Sequence, residues 1–593
     1  MRPSTATALA SVVIGAILVP VAAAAMARHQ VSASDWASME LFTRDVLSRH
    51  PPLTGAWSRY GWAHPGPLAY VALAVPYRLF GGDGRAMQLA ALLVNGTAMG
   101  AAAWLLRRRG DAAFVVGLVA LAATAWSLPS LAVADYWNIT LAVFPLFLTI
   151  VACWCRLVGD RAAGLVAVGA FALTLQAHVG MGLVVAPLAV VTLVTCVVRA
   201  SAGGATDERR RARRGIALGA ALALVLFLPV ALDAARHWPG NAWRLVDWSL
   251  TNDEVAVGWS RAARAVGRAT SLTGLVEPGV PSFVTVTEPI GLGFGPGAVL
   301  VLLVAAGAVS WRRGWRDELL LSASLLLTWA AALSATASIR GPFLAWLLSW
   351  MAPVTWLSWG AIGLVGSRMV ASRAVAAALG HRARSAGRAA AAGAVALWLV
   401  LAISYVGDTS GGATVFADEA ATIEAFTDAA APAVGDGPVR IELAGDPEVA
   451  GPLQAALVNA LDARGAQPRV AQQFVLQFGR HRVDDGPIPV LLIRDEPVIA
   501  PAPVGAEILA VADPLSAADR AEVDDLTARL DDLLRSDDAT DDVRALLDTA
   551  FADMVLMADP TPAVRAASDD LGRLAELRGG GRNGRRLVLY LVP

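Results

Sequence analysis

Residues 34–81 read SDWASMELFTRDVLSRHPPLTGAWSRYGWAHPGPLAYVALAVPYRLFG, an acidic, aromatic and histidine-bearing stretch set between two strongly apolar runs. It places Asp35 and Glu40 just beyond the first of those runs, at about 8–27. Outward from it, apolar blocks near twenty residues long recur through the first two thirds of the chain. The 593 residues are 56% hydrophobic and only 16% charged, with a mean hydropathy of +0.55. A helix needs roughly 20 apolar residues to cross a bilayer, so the composition predicts an α-helical polytopic membrane protein.

The arginines orient the spans. All 48 basic residues are arginine. The short Met-Arg start and the lack of a small-residue cleavage site make the first span a retained anchor with a cytoplasmic N-terminus. The span at about 86–106 ends in Arg107, Arg108 and Arg109, which the positive-inside rule places in the cytoplasm. Further spans near 112–131, 139–156, 162–179, 181–199, 215–234, 296–311, 318–338, 346–367 and 388–406 alternate in direction. They bring Arg156/Arg161, Arg209–Arg214, Arg312/Arg313/Arg316 and Arg368–Arg388 to that same side. About 11 transmembrane helices result, in a membrane domain over 1–406. The outside receives the loop 28–85, a turn around Asp135, a long loop at 235–295 and everything after residue 407.

The segment 407–593 has a different character. It is rich in Asp, Ala and Arg, with strand-like runs at 439–444, 488–493, 506–512 and 586–592 and amphipathic helical runs at 449–464 and 516–536. It is expected to be a C-terminal extracytoplasmic α/β domain whose acids form a solvated face. Cys153, Cys155 and Cys196 lie in or beside apolar runs, as buried small hydrophobes without a disulfide or zinc pattern.

Ionisable groups near a membrane boundary turn towards cavities, because lipid exposure costs about 2.5–3.5 kcal/mol per charge. Asp35, Glu40, Arg44, Arg59, His64, Asp135, Asn138, Gln176, His178 and Arg340 stand out on that ground. Helical spacing over 34–48 gives Met39, Phe42, Val46 and Leu47 an apolar stripe for the membrane surface, with Asp35, Ser38 and Asp45 facing away. On spacing alone two readings stay open. Asp35 or Ser34 caps the helix and Glu40 pairs with Arg44 at i, i+4, or these charges serve a site.

The order of features resembles the membrane-embedded C-type glycosyltransferases, closest to the protein O-mannosyltransferase and aminoarabinose-transferase branch (glycosyltransferase family 39-like) in an actinobacterial form. In that pattern the first outside loop carries an Asp-Glu pair, a helix with an arginine, then Lys-Pro-Pro-Leu before an apolar stretch. Asp35 takes the place of the first acid and Arg44 that of the helix arginine. His64-Pro65-Gly66-Pro67-Leu68 stands for the proline run, Leu79-Phe80-Gly81 closes the segment, and Asp135 and Asn138 match an acid-bearing turn after the third span. The sequence departs in having Trp36 at the second acid and histidine in place of lysine.

The resemblance implies an inverting transfer of a sugar from a polyprenyl-phosphate donor to an acceptor hydroxyl outside the bacterial plasma membrane. The acceptor would be a cell-wall glycan, a lipid or a protein. Asp35 would be the general base, with Glu40 as the second carboxylate. Arg340, Arg44 and Arg59 are the candidates for the donor phosphate, and His64, Asp135, Asn138, His178 and Gln176 for substrate binding. A divalent cation on Asp35, Glu40 and Asp135 is conceivable, yet no spacing demands one. Two other classes fit the span count: a transporter or flippase of lipid-linked sugars, which would place its acids inside spans and show repeats, and a noncatalytic scaffold, which would need no such constellation.

Overall fold

The computed structural model describes residues 2–28, 30–128, 131–201, 206–272, 295–341, 343–370, 416, 419–444, 447–495, 502–512, 516–535, 570, 573, 577 and 587–593. The span expected at 388–406 and most of the second half of the 235–295 loop lie outside these residues.

Ten of the expected spans coincide with helices. They are α1 (Pro3–Ala27), α4 (Gly84–Arg107), α5 (Asp111–Trp126), α6 (Asn138–Leu157), α7 (Ala163–Ala177), α8 (Val179–Ser201), α9 (Thr206–Arg236), α12 (Ala298–Arg312), α13 (Arg316–Ala337) and α14 (Met351–Val370). Among the described residues, seven helices are long and apolar enough to cross a membrane, the last of them running over Trp346–Val370. α5, α7 and α12, at 15 or 16 residues, are shorter. The apolar span of α6 is buried along its whole length, while that of α9 has no buried residue, so α6 is the axis of the bundle and α9 its rim. Leu183, Val190, Leu193 and Val197 on α8 and Leu224 and Val225 on α9 stand exposed, as a lipid-facing surface requires.

The arginine-bearing helix ends meet at one end of the bundle. Arg108 donates to both oxygens of Asp160 at 2.6 and 3.0 Å, Arg109 pairs with Asp317, Arg368 pairs with Glu318, and Trp154 Nε1 donates to the Asp317 carbonyl at 2.8 Å. The opposite end carries α2 (Ser34–Asp45), α3 (Leu68–Leu79), α10 (Gly240–Thr251) and α11 (Gly258–Ala269).

Beyond that end lies a small domain built on a five-stranded mixed sheet, ordered β2-β1-β3-β5-β4. β1 (Pro438–Ala444) pairs parallel with β2 (Gln467–Arg469) and β3 (Val490–Asp495), with Ile441 opposite Leu491. β5 (Leu587–Val592) pairs antiparallel with β3 and with β4 (Glu507–Ala512). The expected strands and helical runs all appear, the helices as α16 (Pro447–Ala463) and α17 (Ala517–Arg535). α15 (Ala420–Val434) and the short β2 had no clear pattern in the sequence.

The amphipathic reading of the first loop needs correction. α2 is not a surface helix: it is packed on two sides. Ala33, Ala37 and Leu41, spaced i, i+4, i+8, join the small domain's core with Ile423, Phe426, Leu453 and Leu457. Met39 and Phe42 join the bundle core beside Tyr70 and Leu73. Ser38 and Asp45, expected to face away, are buried, and only Leu47 of the expected stripe is well exposed. Three residues of the first stripe are too small or too few to read as an apolar face, so only the partner domain reveals it.

Candidate active site

Asp35 sits in the first turn of α2, where the helix dipole favours negative charge. The N-cap is Ala33, with no side-chain cap bond, so Asp35 does not cap its own helix. Ser34 before it has φ of +48°, a left-handed conformation that costs a non-glycine residue about 1–2 kcal/mol and persists only where the surroundings impose it. The Asp35 carboxylate is half-buried. It accepts from Trp137 Nε1 at 3.0 Å, while Trp36 Nε1 donates to Asp135 at 2.6 Å. The two indoles stack at 4.9 Å, so each acid is held by the tryptophan that neighbours the other acid in sequence. Phe416 and Trp346 meet this pair edge-on, at 5.6 Å from Trp36 and 5.7 Å from Trp137. Asp135 also accepts from the Trp137 amide at 3.0 Å and from Thr140 Oγ1 at 2.9 Å. Burial pushes its carboxyl up from the ordinary range, and these hydrogen bonds oppose that rise.

The proline run is fastened to the α7–α8 junction. Residues 55–64 fold back on themselves, with Gly55 N donating to the His64 carbonyl at 2.9 Å and His64 N to the Ala56 carbonyl at 2.7 Å. His64 Nδ1 accepts from the Val179 amide at 3.1 Å, which leaves Nε2 to carry the proton. The ring lies 4.7 Å from that of His178. Burial, then the neighbouring His178, hold His64 well below the usual imidazole range, so it is neutral. Gln176 accepts from the Leu68 amide at 3.2 Å and donates to the Leu226 carbonyl at 2.9 Å. Asn138 Nδ2 donates to the Ala177 carbonyl at 3.0 Å. Asn241 clamps Ala63, accepting from its N–H and donating to its carbonyl, both at 2.7 Å.

This seat is close enough to require glycine at position 55. A Cβ there would stand 2.7 Å from the Gly66 carbonyl oxygen and 2.9 Å from that of Gln176; both are backbone atoms that cannot rotate away. Gly55→Ala is expected to destabilise the folded protein by about 1–3 kcal/mol, read as a lowered thermal midpoint in detergent. Gly100→Ala, where a Cβ meets nothing within 4 Å, is the control and should leave the midpoint unchanged or slightly raised. Equal midpoints for the two variants would refute the tight seat.

Arg59 and Arg340 meet around one tyrosine. Tyr60 accepts from Arg59 NH2 at 3.0 Å and donates to the Arg340 carbonyl at 3.1 Å, and the Arg59 guanidinium lies over the Tyr60 ring. Arg340 NH1 donates to the Glu254 carbonyl at 2.9 Å. The Glu254 carboxylate stands against Gly341. Tyr60 packs on Trp248 and Trp248 on Trp62, which meets His64 edge-on. The two arginines and the histidine seat thus lie along one aromatic wall.

Glu40 and Arg44 are engaged elsewhere. Glu40 is 4% exposed and accepts from Ser32 Oγ, from Tyr77 Oη at 2.9 Å and from Asn459 Nδ2 at 3.0 Å. Arg44 reaches Asp462 at 2.7 Å, the Asn459 side-chain oxygen at 3.0 Å and Glu40 at 3.5 Å. Asp45 is bound at 2.7 and 2.9 Å by both terminal nitrogens of Arg482, which also donates to Asp462 at 3.0 Å. None of these small-domain partners was legible from the sequence. Trp36 and Trp137 were, in principle, since each stands beside a candidate acid. Among the described residues, no group of three or more His, Cys, Asp or Glu is arranged to hold a metal ion.

No protein-family model and no curated protein matches the sequence. Among solved structures, the chain is similar to ArnT from Cupriavidus metallidurans in the apo state, with a TM-score of 0.50 at 16% identity over 85% of this chain and 96% of that one. A second structure of that ArnT, bound to undecaprenyl phosphate, aligns with a TM-score of 0.48 at 15% identity over the same shares. The chain has the fold of the apo ArnT structure.

Proposed function

We propose that this chain is a membrane glycosyltransferase that moves a sugar, with inversion, from a polyprenyl-phosphate donor to an acceptor hydroxyl at the outer membrane face. The observation that carries the reading is the half-buried Asp35 carboxylate, paired with Asp135 through the crossed tryptophans at the end of the bundle remote from the arginine-rich ends. The likeness to ArnT supports the fold, and the motif order around Asp35 and His64–Leu68 supports the donor class. In this reading residues 407–593 lie outside the membrane and the N-terminus in the cytoplasm.

Asp35 is assigned as the base. It takes the acceptor hydroxyl proton as the new C–O bond forms and the sugar–phosphate bond breaks. The departing phosphate gains negative charge, and Arg340 and Arg59 are assigned to meet it, a guanidinium matching phosphate oxygens in fork geometry. The Arg340 guanidinium has one described hydrogen bond, to a backbone carbonyl, whereas that of Arg44 is spent on Asp462, Asn459 and Glu40. Arg44 and Glu40 are therefore moved from phosphate binding and catalysis to holding α2. His64, Gln176 and Asn138 are assigned to seating the loop, because their described polar contacts join separate parts of the fold, and His178, which accepts from the Met181 amide, to packing beside His64. Asp135 orients Trp36 and the turn that carries Trp137.

The test supplies membranes containing the wild type or Asp35→Asn with a panel of polyprenyl-phosphate sugars and candidate acceptors. Transfer from at least one donor by the wild type alone is expected. Equal transfer by both, or by neither across the panel, would reject the reading.

A further inference from the structure

Nothing local fixes the start of α2. Its N-cap makes no side-chain bond, its first residue has a positive φ, and the residue that follows is Asp35. The bundle holds one side of the helix through Met39, Phe42 and Trp36, and the other side is held by a domain whose contacting residues lie more than 400 positions downstream. Two independent features do this. Ala33, Ala37 and Leu41 complete the apolar core of the small domain, and a row of alternating charges, Asp45, Arg482, Asp462, Arg44 and Glu40, runs along the helix to end on Asn459. The Arg482 side chain is 4% exposed and that of Asp45 is 7%.

Adhesion alone would be served by apolar residues, because burying ions carries a desolvation cost that their attraction offsets only in good geometry. What a fork between Arg482 and Asp45 adds is direction. A helix turns by about 100° per residue, so a slip of one position on the small domain would carry Asp35 away from Trp137. The apolar stripe alone, two alanines and a leucine, is a weak guard against such a slip.

We propose that Arg482 and Asn459 are positioning residues for α2 and, through it, for Asp35, so that the transfer site is incomplete without the C-terminal domain. The positioning of Asp35 matters to catalysis only on the reading given above, and the experiment keeps the two apart.

Full-length wild type, Arg482→Met, Arg482→Lys and Asn459→Ala are reconstituted in nanodiscs. Hydrogen exchange is followed over residues 34–45 and over α4, alongside kcat and the KM for the donor lipid. In Arg482→Met, exchange over 34–45 should rise while α4 stays protected. The kcat should fall about tenfold or more, since misplacement of a catalytic group by about 1 Å costs up to 10²-fold, with KM within about twofold. Arg482→Lys should recover part of the loss. Asn459→Ala, which leaves the Arg482 fork intact, should shift both readouts in the same direction by a smaller factor, and it serves if Arg482→Met does not fold. Wild-type kcat in Arg482→Met and Asn459→Ala, or unaltered exchange over 34–45, would overturn the proposal. If Asp35→Asn transfers as well as the wild type, the functional reading falls, and the exchange data alone decide whether the C-terminal domain holds α2.

Discussion

Asp35→Asn is expected to lower kcat by about 10²–10⁴-fold, the range in which a positioned general base contributes. The substitution is nearly isosteric, and its amide oxygen still accepts from Trp137 Nε1, now 3.0 Å from the carboxylate. The stacked tryptophans and the start of α2 should survive, so the unfolding midpoint should stay within a degree or two of the wild type. What the variant lacks is a group able to take a proton from the acceptor hydroxyl. The comparison with Glu40→Gln separates chemistry from support. Glu40 is buried under Tyr77, Ser32, Asn459 and Arg44, and neutralising it leaves Arg44 with one carboxylate fewer in a dry setting, so that variant should lose stability first. Transfer rates and midpoints measured on the same preparations decide the matter. A rate for Asp35→Asn within about threefold of wild type, well under the catalytic range, would remove Asp35 from the chemistry.

Much of this was legible in residues read one segment at a time. Runs of twenty apolar residues announce spans because the bilayer imposes that length, and the arginines at 107–109, at 156 and 161, and at 312, 313 and 316 announce a common end because each set lies at span boundaries. The ion pairs Arg108–Asp160 and Arg109–Asp317 are the packing consequence of that rule. Asp35 and Asp135 stood out because a charge beside a membrane boundary is rare. Their joining was not legible, since it depends on two indoles crossing between segments a hundred residues apart. The pair Glu40 and Arg44 was visible at i, i+4, but its setting was not. On an exposed helix such a pair is worth a few tenths of a kcal/mol. Covered by Asn459, Asp462 and Tyr77 it becomes part of a buried network, and no local pattern signals a partner 400 residues away.

Arg340→Gln is expected to lower kcat/KM by about 10²–10³-fold, the usual loss when one preorganised donor to a developing anion is removed. The reason lies in how the charge moves. A polyprenyl-phosphate sugar is a phosphodiester, and its phosphate becomes more negative as the sugar leaves, so a nearby cation binds the transition state and the departing lipid phosphate more strongly than the donor. Product inhibition is therefore the telling readout. Polyprenyl phosphate should inhibit the wild type more strongly than Arg340→Gln, and Arg340→Lys should lie between them, since an ammonium keeps the charge and loses the fork. Arg44→Gln supplies the contrast. Its guanidinium is bound to Asp462 and Asn459, so losing it should loosen α2 and lower kcat while leaving product inhibition as in the wild type. Arg59 donates to Tyr60, whose hydroxyl is bonded to the Arg340 backbone carbonyl, and the double variant Arg59→Gln/Arg340→Gln should be less impaired than the product of the single losses, because residues assigned to one ligand do not act independently. An inhibition constant for polyprenyl phosphate that is unchanged in Arg340→Gln would place the departing phosphate elsewhere along the aromatic wall.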